Sequence, residues 1–75
     1  MPPTFRDLKR LCERDHWSLV RSADYWSYEK VLDDGRVLRT KVSRALHREI
    51  PRGLWERILK QQLQIAEEKF WRRAR

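Results

Sequence analysis

Among the 75 residues there is a single cysteine, Cys12, which excludes an intramolecular disulfide and a thiolate metal cluster. That usage fits a reducing, cytoplasmic setting. No apolar run approaches the roughly 20 residues of a membrane span. The opening MPPTFRDLKR lacks the apolar centre of a signal peptide. A soluble, cytoplasmic protein with no membrane partner is therefore expected. Histidine is scarce, with only His16 and His47. No carboxylate pair, Ser/Cys–His arrangement or metal-ligand cluster stands out, so neither a metal nor a cofactor is expected. Asp33 and Asp34 read as turn chemistry. There is no internal repeat, linker or low-complexity segment, and the length allows one domain, residues 1–75, around one core.

What the chain does have is positive charge in one place. Its formal net charge is +7 and its pI is near 10.3. Arg36, Arg39, Lys41, Arg44, Arg48, Arg52, Arg57 and Lys60 face only Glu49 and Glu56 within residues 35–61, so that stretch holds +6 of the excess. A charge excess confined to one strand–loop–helix unit points to a basic surface and a polyanionic partner, with nucleic acid the leading class. Charged residues are 39% of the chain, but apolar ones recur at regular spacing throughout, which argues for a folded domain.

Thr4 and Asp7 have the spacing of a capping box. Phe5, Leu8, Leu11 and Cys12 follow at helical intervals and predict a helix that ends near Asp15. WSLVRS at 17–22 and YWSYEKVL at 25–32 are β-prone runs joined by Ala23-Asp24, a two-residue turn. Asp33-Asp34-Gly35 is a stronger hairpin signal. RVLRTKVS at 36–43 alternates cleanly: Leu38, Thr40 and Val42 point one way, Val37, Arg39 and Lys41 the other. Residues 44–50 read as a polar connection, and Pro51 suits a helix start. Leu54, Trp55, Ile58, Leu59 and Leu63 then form a wide apolar stripe. Gly53 in the first turn leaves room for a phosphate, or another element, to approach the backbone. Glu67 and Glu68 before Arg72, Arg73 and Arg75 have the charge order of a short helix, docked by Phe70 and Trp71. The predicted class is α+β: α-β-β-β-α, a three-stranded antiparallel sheet with two helices on one face, plus a short C-terminal helix.

Four pieces of this chain together resemble one family. Residues 5–14 resemble its opening helix, HWSLVRS (16–22) its "GWxLVR" first strand, and DGRVLRTKVSR (34–44) its third strand and basic exit. REIPRGLWERILKQ (48–61) is similar to "KEIPPGTLRSILKQ", with Glu49, Ile50, Pro51, Gly53 and Ile58-Leu59-Lys60-Gln61 matching. The family is the HicA-like mRNA interferase toxins of bacterial toxin–antitoxin pairs. The resemblance implies a fold like a double-stranded-RNA-binding domain, endoribonuclease activity and a HicB-like antitoxin partner. It also implies a histidine in a "GSH" signature opening the second strand. Aligned on Tyr28 that histidine position falls on Tyr25; aligned from Arg21 it falls on Trp26. An imidazole titrates near neutral pH and suits acid–base work, whereas a phenol near 10 and an indole do not.

His47, inside the basic stretch, and Tyr25 are the catalytic candidates, with His16 behind them. A protonated His47 among arginines could donate to a scissile phosphate. For RNA binding the candidates are Arg36, Arg39, Lys41, Arg44, Arg48, Arg52 and Lys60. Arg39 and Lys41 would lie on the open sheet face, Arg44 and Arg48 in the connection, and Arg52 at a helix start whose free N–H groups add to the field. Tyr25 lies on the opposite strand face from Trp26 and Tyr28, so one set is core and the other is free to stack on an unpaired base. The alternatives are a non-catalytic RNA binder and a module that docks an antitoxin-type protein.

Overall fold

The computed structural model describes residues 2–75. Helix α1 (Phe5–Arg14) begins at the capping box: the Thr4 hydroxyl accepts the Asp7 N–H at 3.3 Å and the Asp7 carboxylate accepts the Thr4 N–H at 2.9 Å. The remaining first-turn donors do not face water. Phe5 N–H donates to Arg48 O at 3.1 Å, Arg6 N–H to Leu46 O at 3.0 Å, and Ile50 N–H returns to Pro3 O at 2.8 Å. The basic connection is thus laced to the start of α1, supplying acceptors that a helix N-terminus otherwise lacks. At its other end α1 stops in a Schellman arrangement, with Trp17 N–H donating to Cys12 O at 3.3 Å and His16 left-handed at φ 63°. His16 is a helix stop.

Strands β1 (Ser18–Ser22), β2 (Tyr25–Val31) and β3 (Val37–Ser43) form an antiparallel sheet in the order β1-β2-β3. The β2–β3 turn centres on the expected Gly35, at φ 89°, with its N–H donated to Leu32 O. At the β1–β2 end the strands are joined by the expected Ala23-Asp24, and Ser22 pairs with Trp26. Leu38, Thr40 and Val42 are buried with Tyr28, as the alternation of β3 requires, and the helical layer covers them. The other sheet face is open.

Helix α2 (Arg52–Arg57) does not continue as a regular α-helix over the apolar stripe. It widens into a π-helical segment, Ile58–Leu63, which ends at left-handed Gln64. Gln62 there accepts a 2.7 Å hydrogen bond from Thr40, satisfying the buried hydroxyl on β3. A Cβ on Gly53 would meet nothing within 4 Å, so no other element of the chain uses that glycine for close approach. Helix α3 (Glu67–Ala74) is more than an accessory. Phe70 is 0% exposed and packs edge-on to Trp55, with centroids 4.6 Å apart, and to Trp71 at 5.1 Å. The Asp15 carboxylate accepts from Lys30 of β2 at 3.0 Å and from Arg73 of α3 at 3.1 Å, joining the end of α1 to both.

Cys12 is wholly enclosed, and burial, reinforced by Asp15 and Glu13, pushes its thiol up to about 12. The unfolded thiol ionises near its ordinary 9.0 while the folded one stays protonated, so stability is full below pH 9 and falls as pH rises toward 12. The expected slope is at most about 1.4 kcal/mol per pH unit. Urea unfolding midpoints at stepped pH values above 8 should fall for the wild type and flatten between pH 9 and 10 in Cys12→Ala. Above pH 10 the Tyr28 phenol, itself pushed up mainly by burial, adds a loss of the same sign in both proteins.

Candidate nucleic-acid interface

The open face is built of rows of directly opposed residues. Tyr25 faces Ser43; Arg21, Ser27 and Lys41 form a row across all three strands; Ser18, Glu29 and Arg39 form the next; Val31 faces Val37 at the far end. Neighbouring side chains in a row share a face and stand about 5 Å apart. Charge on this face is graded. The Arg21–Lys41 row carries two cations and no acid, whereas in the following row Glu29 holds Arg39 at 2.8 Å. At the basic end Lys41 Nζ lies 6.0 Å from the Tyr25 ring centroid.

Arg21 is the residue missed from sequence. A bulge between Leu19 and Arg21 interrupts the β1–β2 register. Leu19 opposes Tyr28, so an unbroken ladder would set Val20 against Ser27 and turn Arg21 to the helix side with Trp26. The extra residue instead sets Arg21 against Ser27, on the open face. Nothing in WSLVRS marks a bulge.

Beside the free edge of β3 runs a groove of about 750 Å³, with Phe5, Leu54 and Ile58 on its floor and Arg39, Lys41 and Arg48 around it, together with one acid, Glu49. Arg48 is held there because its carbonyl is committed to α1 while its side chain remains exposed. Arg21, Lys41 and Arg48 have no ion-pair partner among the described residues. These three, with the paired Arg39, are the cations that the fold brings together.

The other sequence candidates lie elsewhere. Arg36 is engaged in the β2–β3 turn, donating to Asp34 through its backbone at 3.0 Å and its Nε at 2.8 Å; these contacts hold the Asp34 carboxyl below its ordinary range. Arg52 extends into solvent 3.7 Å from Glu56, beside a second groove lined by Glu49, Glu56 and Glu67. Lys60 is exposed on the π-helical segment and lines neither groove.

Arg44 lies over Trp26 at 4.1 Å and donates to Ala23 O at 3.0 Å and Ser22 Oγ at 2.7 Å. It ties the β1–β2 hairpin to the end of β3. Arg44→Ala should cost about 1 kcal/mol through the lost hydrogen bonds and cation–π contact. A domain of this size then melts roughly 4–8 °C lower. Arg44→Lys keeps the charge but not the planar fork, so it should melt nearly as early. A wild-type melting temperature in the lysine variant would leave Arg44 without this structural part.

Of the catalytic candidates, His47 is exposed on the connection and does not line the groove beside β3. Tyr25 does, half-exposed, with Arg48 on the same lining. Trp26 lies on the helix side, between Arg44 and Lys9, whose Nζ is 5.0 Å from the ring. Neither strand position of the resemblance therefore holds an imidazole. Among the described residues, no group of three or more His, Cys, Asp or Glu is gathered as a metal site, and no helix is long and apolar enough to cross a membrane. No protein-family model, curated protein or solved structure matches this chain.

Proposed function

We propose that this chain is an RNA-binding protein of the HicA-like kind, folded like a double-stranded-RNA-binding domain and paired in a bacterial cytoplasm with a HicB-like antitoxin. One observation carries the RNA-binding part of that reading: Arg21, Lys41 and Arg48, none of them in an ion pair, stand with Arg39 on the open sheet face and its adjoining groove. Phosphates arriving there would meet cations that need not first leave a carboxylate. Counter-ion release makes such binding strongly salt-dependent. The α-β-β-β-α order with one open sheet face is also what the resemblance requires.

Binding without cleavage is the simpler form of the proposal, because the strand position that the resemblance reserves for histidine carries Tyr25 or Trp26. Cleavage is the second form, and the observation favouring it is His47, exposed next to Arg48. Titrating labelled RNA at 50 and 200 mM salt tests binding; a log–log slope near zero removes the proposal. Inducing the protein in a bacterial host and following transcript integrity separates the two forms. Transcripts that stay whole leave binding alone, while cuts that vanish in His47→Ala establish the second form.

A further inference from the structure

The open face ends, at the β1–β2 hairpin, in a concavity of about 180 Å³ lined by Arg21, Ala23, Asp24, Tyr25, Ser27 and Lys41. Tyr25 is 51% exposed, whereas Tyr28 is buried and Trp26 is covered by cations on the other side of the strand. Tyr25, with only Lys41 near its ring at 6.0 Å from the centroid, is thus the most exposed aromatic of β2 and the one an outside ring can reach. Arg21 and Lys41 flank Ser27 from either neighbouring strand, so their backbones stand about 10 Å apart and their long side chains can meet over a group between them. Asp24 is the one acid in the lining and directs a phosphate toward the Arg21–Lys41 side.

A duplex offers this arrangement nothing for its ring, because paired bases hide both faces in their own stack. An unpaired nucleotide offers a flat base and a phosphate one sugar away. We infer that this concavity binds a single unpaired nucleotide of RNA, its base stacked on Tyr25, its phosphate between Arg21 and Lys41, and its sugar beside the Ser27 hydroxyl. The inference rests on the RNA-binding reading above and narrows it to single-stranded RNA. Lys41, which lies over Tyr25 in the free protein, moves from the ring to the phosphate when the base arrives.

Fluorescence anisotropy decides it, with three labelled probes: a single-stranded RNA decamer, the same decamer annealed to its complement, and a DNA decamer of the same sequence. The wild type is expected to bind the single-stranded RNA more tightly than either of the others. Tyr25→Ala should weaken that binding about tenfold, the effect of losing one base–aromatic stack, and leave the salt slope unchanged. Tyr25→Phe, which keeps the ring, should bind like the wild type. Arg21→Gln and Lys41→Gln should each flatten the slope by about 0.7, as the loss of one phosphate contact on a single strand does. Wild-type binding by Tyr25→Ala, or duplex binding as tight as single-strand binding, overturns the inference while leaving the RNA-binding reading in place. Equal affinity for DNA overturns the assignment to RNA. If no probe binds at 50 mM salt, the wider reading fails and the inference with it.

Discussion

Phe70→Ala should leave most of the protein unfolded at 25 °C. Truncating a fully buried phenylalanine costs about 3–5 kcal/mol, and a core of this size rarely supplies more than about 3–5 kcal/mol in all. The site has little capacity to collapse around the void, because Trp55 and Trp71 both rest against the Phe70 ring. Their edge-on contacts are lost with it, worth about 0.5–1.5 kcal/mol per pair beyond the buried area. Helix α3 also pairs with the end of α1 through Arg73–Asp15 and Arg14–Ala74, so releasing it loosens a second element. Urea unfolding followed by tryptophan emission, with amide dispersion as a second measure, checks this. Phe70→Leu, which refills most of the volume, should fold with a lower midpoint. An alanine variant with the wild-type midpoint would mean that α3 lies outside the cooperative core.

The second large effect is on binding. The triple variant Arg21→Gln/Lys41→Gln/Arg48→Gln removes the three unpaired cations of the open face and groove. At about 0.7 in slope for each phosphate contact on a single strand, the log–log salt dependence should flatten by roughly 2, which at 0.1 M salt is about a hundredfold in affinity. A matched control loses the same charge elsewhere: Arg36→Gln/Arg52→Gln/Arg72→Gln removes guanidiniums that already face Asp34, Glu56 and Glu68. If placement rather than total charge governs binding, the control should lose far less. Equal losses in the two triples would reduce the interface to a diffuse effect of net charge.

Much of the scaffold was legible because its signals are short-range. Thr4 and Asp7 cap α1 as their spacing implies, Gly35 takes the positive φ that Asp-Gly turns need, and the alternation of β3 divides Thr40 from Lys41 correctly. The site was legible only in part. Basic residues can be counted from sequence, but their partners cannot: Arg36 is held by an acid two residues away, Arg39 by one across the strand, and Arg44 by the hairpin it fastens. The widening of α2 into a π-helical segment leaves no mark in an apolar stripe that regular helical spacing already satisfies. Arg48 reads as a loop residue until the hydrogen bonds to Phe5 and Arg6 tie its segment to α1. Which aromatics of β2 stay open depended on where the helices pack, and that is a tertiary fact.

The bulge at Val20 gives the chain a parity rule. Residue identity decides how much charge β1 carries, but whether the strand bulges before Arg21 decides which side of the sheet receives it. A relative of the same length whose β1 paired without the bulge would keep the same composition and net charge yet turn its arginine toward the helices, against Trp26. Two such chains would look alike on a titration curve and differ in the field above the sheet. Loss of Val20 itself would restore a regular ladder and leave Arg21 against Ser27, whereas pairing Val20 into the ladder would move the charge to the other side without changing a residue.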